Sequence, residues 1–169
     1  SNEVTGGPKF VAATGGTITT CGNFKVHTFT SPGTFCVSNG GNAGGSNTVD
    51  YFVVAGGGGG AGDVGGGGGA GGFRLSNSVG CIPAPTMSPL VAPNSPSPAA
   101  IPVTATAFPV TVGGGGAGGT PSPALGSNGS NSIFSTITSA GGGKGGHRQS
   151  GNCAGAGGSG GGGAGESVA

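Results

Sequence analysis

Charge is what this 169-residue sequence has least of. Charged residues make up 5% of the chain and the formal net charge is +1, whereas ordinary soluble domains carry about 25% charged residues. The five cations are spread along the chain, so no basic patch for nucleic-acid phosphates is expected. A surface with so little charge favours packing against further copies of the same chain. The cations are Lys9, Lys25, Arg74, Lys144 and Arg148.

Large hydrophobic residues and long apolar runs are also scarce. The chain has no Trp, one Tyr and one Met. Gly and Pro interrupt every window long enough for a helix, so we expect essentially no α-helix. No apolar run is long enough to span a bilayer, so no membrane span is expected. These residues could build only one small core. We therefore expect the rest of the fold's stability to come from backbone hydrogen bonds, cross-links or neighbouring subunits.

Recognisable catalytic and metal-binding patterns are missing. His27 lies inside a predicted strand, where a satisfied or solvent-facing ring is expected. No nucleophile elbow, phosphate loop or acid–base pair is present, so we expect no enzyme, no cofactor and no metal site. His147 lies in a short basic stretch with Lys144 and Arg148, a surface tip able to contact a polyanion or a sugar. The four carboxylates are far apart in the sequence: Glu3, Asp50, Asp63 and Glu166.

Four cysteines are present, without the paired CxxC spacing of a zinc site. They allow three disulfide pairings. Because the core is small, disulfides in an oxidising setting are favoured over free thiols. The preferred pairing joins Cys21 to Cys36 and Cys81 to Cys153. An intracellular origin would instead leave all four as small buried hydrophobic residues.

Glycine is what the sequence has in excess, with 46 residues arranged in blocks. Nearly every block follows a strand-like run, as at 49–54, 108–112 and 133–138. This predicts an all-β fold, with a small β-sandwich-like core of short strands that continue into glycine-rich segments. Residues 24–38 predict a hairpin, since Ser31-Pro32-Gly33 is a favourable turn.

The glycine blocks have no side chains to pack in a conventional sheet. Polyproline II helices are the natural alternative, because glycine lets several of them approach closely and hydrogen-bond laterally. The competing interpretation is a set of long glycine loops held at a subunit interface.

Composition suggests an N-terminal arm, 1–9, followed by a single glycine-rich domain, 10–169. Within the domain lies a Pro/Ser/Ala-rich excursion, 83–109, either a stiff surface loop or a glycosylated or receptor-contacting one. The start at Ser1 suggests a processed product or a segment of a longer protein. Candidate glycosylation sites are Asn128, in Asn-Gly-Ser, and Ser95, Ser97 and Thr86.

The order and spacing of the strand-like and glycine-rich runs in this sequence resemble those of the glycine-rich domain of tailed-phage tail fibres and marine viral structural proteins. The similarity runs from about Phe10 to Ala164. This sequence differs from such domains in two features: it has four cysteines, and it ends without a final apolar strand. The residues that carry it lie at 10–18, 25–35, 49–56, 71–74, 108–113, 126–132 and 136–141.

The resemblance implies a non-enzymatic fibre or adhesin module that packs its glycine segments as polyproline II helices. Loops at the tips of such bundles recognise the host. By position, the candidates are the 83–98 excursion, the 144–150 stretch and the turn at 63–64, that is, Asp63, Val64, Lys144, His147 and Arg148.

The leading hypothesis is therefore a structural and adhesive protein of a phage surface fibre, working as an oligomer at the virion surface or outside the cell. Its expected partners are further copies of itself and a cell-surface glycan or protein receptor. The alternative is a subunit of a secreted, glycosylated fibril that polymerises by strand or arm exchange. An ice-binding protein is a third class, but the regular Thr/Ala face it needs is not found.

Overall fold

The computed structural model describes residues 6–76, 100–120, 125–148 and 153–165. These residues contain β-strands in several antiparallel sheets and no helix, which confirms the all-β prediction. None of them forms a helix long and apolar enough to cross a membrane. The strands are β1 (Val11–Thr14), β2 (Thr17–Cys21), β3 (Phe24–Thr28), β4 (Gly33–Gly40), β5 (Thr48–Val49), β6 (Phe52–Val54), β7 (Phe73–Leu75), β8 (Ile101–Pro102), β9 (Ala107–Thr111), β10 (Ser132–Phe134) and β11 (Ile137–Ser139).

The chain forms two compact units, each discontinuous in sequence. The first comprises Ser1–Phe52 with Leu75–Val110, and the second comprises Val53–Arg74 with Thr111–Ala169. The chain passes between them within β6, β7 and β9. The division into an arm and a single domain stays a prediction.

In the first unit, β4 lies between β1 and β9 and pairs antiparallel with both. The register with β1 shifts between Ala12 and Ala13, a bulge that absorbs one residue of β4. β5 and β8 form a separate two-stranded ladder. β4 is the longest strand because its alternation is the clearest, with Phe35 and Val37 buried and their neighbours exposed.

The core of the first unit is small. Phe35, Val37 and Val103 are its buried apolar side chains among the described residues. Phe35 lies opposite Phe108 in the β4–β9 register, with ring centroids 6.5 Å apart. His27 packs edge-on against Phe35 at 5.0 Å, and its Nδ1 lies 2.9 Å from the Gly15 carbonyl oxygen. The His27 ring thus has a hydrogen-bond partner and a packing partner within the fold, as the sequence suggested.

The predicted hairpin over 24–38 is wrong. β3 pairs with β2, in the register Thr17↔Thr28 to Cys21↔Phe24, whereas β4 pairs with β1 and β9. Gly22 and Asn23 close the hairpin, and Gly22 has a φ of 57°. A glycine with positive φ at the first turn position favours a two-residue connection with the right twist.

The run 133–138 is also not one strand. β10 and β11 form a tight antiparallel hairpin, with Phe134 opposite Ile137. Ser135 adopts a φ of 53° at the turn. Such a conformation is uncommon for a residue with a Cβ, and the sequence around Ser135 has no Gly or Asn to indicate it.

The preferred disulfide between Cys21 and Cys36 does not form. Cys21, Cys36 and Cys153 are free and exposed, which also departs from the buried-thiol alternative. Cys36 lies in the middle of β4, whereas Cys21 is the last residue of β2, beside the turn of the β2–β3 hairpin. Cys81 lies outside the described residues, as do Thr86, Ser95 and Ser97.

The described part of the predicted arm is attached to a loop of its own chain. The Lys9 N–H donates to Asn42 Oδ1 at 2.9 Å, and the Asn42 N–H donates to the Lys9 carbonyl oxygen at 3.1 Å. Asn42 Nδ2 also donates to the Gly7 carbonyl oxygen at 3.2 Å. The Ser46 N–H donates to the same Lys9 carbonyl oxygen at 3.1 Å, so Asn42 and Ser46 together hold the segment that precedes β1.

Candidate recognition surface at the loop end of a polyglycine bundle

Seven glycine-rich segments of the second unit are joined by lateral backbone hydrogen bonds. Together they form what we call the polyglycine bundle. They are segment I (55–61), segment II (65–72), segment III (113–119), segment IV (126–131), segment V (140–146), segment VI (153–158) and segment VII (159–163).

The hydrogen bonds repeat every three residues. In segment I, the N–H groups of Ala55, Gly58 and Ala61 all donate to segment II. The positions one residue further on, Gly56 and Gly59, donate instead to segment IV. A segment whose neighbours recur every third residue has the three-residue turn of polyproline II.

The backbone angles agree with this conformation. Among the described glycines, positive φ is confined to Gly15, Gly16, Gly22 and Gly41, all outside the bundle. Each of the seven segments therefore avoids the left-handed region that only glycine favours. The three-residue period and the absence of positive φ agree with the predicted polyproline II packing, with its hydrogen bonds formed inside one chain.

Segment V is the centre of the bundle. Every N–H from Gly141 to Gly146 donates a hydrogen bond, and the acceptors rotate through segments IV, I and VII with a period of three. Isolated polyproline II leaves these groups to water. The bonds are Gly141 to Asn131 Oδ1 (2.9 Å), Gly142 to Gly56 O (2.8 Å), Gly143 to Ser159 O (2.9 Å), Lys144 to Asn128 Oδ1 (2.8 Å), Gly145 to Gly59 O (2.9 Å) and Gly146 to Gly162 O (2.9 Å).

Segment IV contributes two side chains to this network. Its sequence is a Gly-Ser-Asn repeat, so Asn128 and Asn131 lie one turn apart on the same side. Their amide oxygens accept from Lys144 and Gly141, which are also one turn apart. Asn128, a candidate for glycosylation, therefore has a structural contact, and its glycosylation stays a prediction. The three-residue repeat Gly126 to Asn131 was the sequence signal for this role.

The number of neighbours decides where glycine is required. In segment V, a Cβ on any glycine of 141–143 or on Gly145 would overlap a backbone carbonyl of another segment. In segment III the same is true of Gly113 and Gly116, whereas Gly114 has nothing within 4 Å of a Cβ. Segment III thus needs glycine once per turn, and segment V needs it at nearly every position.

The direction of each segment follows from the pairings. Segments I, III, V and VII run one way, because Gly142 and Gly145 bond to Gly56 and Gly59 in ascending order, as do the corresponding pairs of III and VII. Segments II, IV and VI run the other way. The connections from I to II, from III to IV and from V to VI therefore leave the bundle at one end, the loop end.

Every predicted recognition residue of the second unit lies at or near the loop end. Asp63 and Val64 form the turn between segments I and II, closed by the Gly65 N–H donating to the Gly62 carbonyl at 3.0 Å. Asp63 has a φ of 53°, which Asp tolerates better than most residues.

His147 and Arg148 follow segment V at the same end, since the Gly66 N–H donates to the Gly146 carbonyl oxygen at 2.8 Å beside the turn. Lys144 lies one turn before His147. The exposed side chains here are Asp63, Val64 and Arg148, while Lys144 and His147 are half-buried. The loop end thus carries a small, mixed and mainly basic surface.

No group of three metal-ligating side chains occurs among the described residues. The remaining part of the 144–150 stretch and the whole of 83–98 lie outside them. One buried hydroxyl, Ser139 Oγ, has no hydrogen-bond partner in the described part of the chain and lies against Gly72 at the opposite end of the bundle.

The fold therefore defines an all-β protein whose second unit contains a bundle of polyproline II segments. A family described as a glycine-rich domain matches residues 30–169. The chain belongs to this glycine-rich domain family. No curated protein and no solved structure matches the chain.

Proposed function

We propose that the chain is a non-enzymatic structural and adhesive module of a surface fibre, of the phage tail-fibre type, that works as an assembled oligomer. The polyglycine bundle is its rigid support, and the loop end is its recognition surface for a cell-surface glycan or protein. The site of action is the virion surface or the outside of the cell.

The observation that carries this proposal is that the hydrogen-bonded segments of the polyglycine bundle and the exposed side chains of the loop end lie in different places. In segment V every N–H group of residues 141–146 is bonded, and Lys144 is its single long side chain. The connections between segments converge on the loop end, where residues differ in charge and size. A rigid scaffold that presents variable loops at one end is a common arrangement in binding proteins.

The adhesive part is tested by removing the same charge from opposite ends of the bundle. Arg148→Ala changes the loop end. Arg74→Ala is the matched control, because Arg74 is an exposed arginine just beyond Gly72, and Gly72 bonds to Ala140 at the start of segment V. Binding is measured on an array of bacterial capsular polysaccharides and lipopolysaccharides and on intact cells. We expect weaker binding for Arg148→Ala alone, and equal binding by both variants would refute the assignment.

A secreted fibril subunit is the second candidate, favoured by the arm. Gly7 and Lys9 are held by a few hydrogen bonds to one loop, from the half-buried Asn42 and from the Ser46 N–H, so the same bonds could be made to the loop of a neighbouring copy. Electron microscopy of the native assembly separates the two. A closed oligomer or a virion-attached spike supports the fibre, whereas an open helix with arms crossing between subunits supports the fibril.

A further inference from the structure

The β2–β3 hairpin has an outer edge that nothing in the described chain covers. β3 is the only ladder partner of β2 among the described residues. All five residues of β2 are exposed, and the exposed fraction of Ile18 is 45%. An isolated two-stranded hairpin is marginal in water and is normally supported by further strands.

The sequence of β2 lacks every device that protects an edge strand. Natural edges carry Lys, Pro, a bulge or an inward charge that opposes pairing with another chain. β2 reads Thr-Ile-Thr-Thr-Cys, without charge, Pro or Gly, and rich in residues that favour strands. Its partner β3 carries Lys25 instead. With a net charge of +1, the whole chain adds little electrostatic repulsion between copies.

The hairpin register shows which backbone groups point outward. Cys21 and Phe24 flank the two-residue turn, so they are the closing hydrogen-bonded pair. Bonding alternates along an antiparallel ladder, so Thr19 and Thr17 also bond inward to β3. Ile18 and Thr20 therefore direct their N–H and C=O groups outward.

We propose that β2 is a self-association edge on which the β2 strand of a second copy adds in antiparallel orientation. A two-fold axis through Thr19 places Ile18 opposite Thr20 of the partner subunit, so each outward N–H meets an outward C=O. This register keeps Thr17, Thr19 and Cys21 on one continuous face. The product is a four-stranded sheet, β3–β2–β2–β3, with Thr19 opposite its own copy.

This inference rests on the self-assembly part of the proposed function and names the surface that would carry it. The pairing of two copies is isologous, because the same strand contributes from both sides. It requires no movement of the arm and no contribution from the loop end.

Cysteine cross-linking tests the register. In a background with the four native cysteines changed to Ser, Thr19→Cys would place two thiols in a non-hydrogen-bonded pair with Cα atoms about 4.5 Å apart, within disulfide range. Thr20→Cys is the matched control, since it lies opposite Ile18. We expect a disulfide-linked dimer from Thr19→Cys under mild oxidation and at least tenfold less from Thr20→Cys. Equal cross-linking by the two variants would overturn the register.

A second test uses charge instead of cysteine. It remains informative if a cysteine variant folds poorly. Thr19→Lys places two ammonium groups opposite each other, and like charges in that position oppose pairing. Val26→Lys, on the same face but on β3, is the control. Sedimentation velocity over a concentration series should show at least tenfold weaker association for Thr19→Lys than for Val26→Lys.

The outcomes separate this inference from the proposed function. A wild-type oligomer that Thr19→Lys leaves unchanged would overturn the β2 edge while keeping self-assembly. A monomeric wild-type chain at all concentrations would overturn both. Loss of association with unchanged glycan binding would support the β2 edge as an assembly surface distinct from the loop end.

Discussion

Adding a single methyl group to glycine should have opposite effects at two positions of the polyglycine bundle. Gly143 lies buried in segment V, where a Cβ would overlap the carbonyl oxygen of Gly155 and lie 3.0 Å from the Gly161 nitrogen. Gly114 lies exposed in segment III, where a Cβ would meet nothing within 4 Å. Neither glycine has positive φ, so alanine can adopt the backbone conformation at both.

The magnitudes follow from the contacts. Nonbonded carbon atoms rest about 3.5 Å apart, so Gly143→Ala must push segments V and VI apart by more than ~1 Å. That displacement disrupts the two bonds between these segments, Gly155 N–H to Lys144 O (2.8 Å) and Gly158 N–H to Gly141 O (2.8 Å). A buried group left without its partner costs about 1–3 kcal/mol.

We therefore expect Gly143→Ala to lower the free energy of unfolding by about 2–5 kcal/mol, after the gain from a stiffer unfolded chain is included. Gly114→Ala keeps only that gain, and should raise the free energy of unfolding by about 0.4–1 kcal/mol. For a chain of this size, roughly 2–4 °C of Tm correspond to each kcal/mol.

Urea unfolding followed by far-UV circular dichroism measures both variants, with calorimetry for Tm. Circular dichroism is the better probe, because the chain has no Trp and one Tyr. If both substitutions shift stability by similar amounts in the same direction, close packing of segment V is not what requires its glycines.

Three further predictions concern the network and the hairpin. Asn131→Ala leaves the buried Gly141 N–H without an acceptor and should cost about 1–3 kcal/mol in urea unfolding, whereas the exposed Ser130→Ala should change little; equal effects would contradict the asparagine's role. Gly22→Ala places a Cβ at a φ of 57° and should lower stability by about 1–2 kcal/mol, seen as a lower Tm. Hydrogen exchange should be slowest at the amides of 141–146, and fast exchange there would disprove the central position of segment V.

Sequence reasoning predicted the strand content and the polyproline II segments, because both depend on local composition. It failed to predict which strands pair with each other. The Ser31-Pro32-Gly33 signal suggested the wrong hairpin, while Gly22-Asn23, two residues between the runs 17–21 and 24–28, was the better signal. The turn at Ser135 could not be predicted, since its positive φ is imposed by the hairpin on a residue that does not favour it.

The regularity of the bundle was hidden in the sequence for a physical reason. A strict Gly repeat appears only where a segment has few neighbours, as at Gly126 and Gly129 of segment IV. In segment V nearly every position faces another backbone, so glycine occupies all positions from 141 to 146 except Lys144 and no three-residue repeat is visible. The candidate recognition residues were identified by their places between glycine blocks, but their gathering at one end depends on the alternating directions of the segments.

The central position of segment V also governs when this protein can fold during its synthesis. Its acceptors come from residues as early as Gly56 and as late as Gly162, on both sides of it in the chain. Closing such distant contacts is slow, and no partial set leaves the buried backbone satisfied. A nascent chain would therefore emerge without a stable bundle until Gly162 has left the ribosome, and the bundle should then form in one cooperative step.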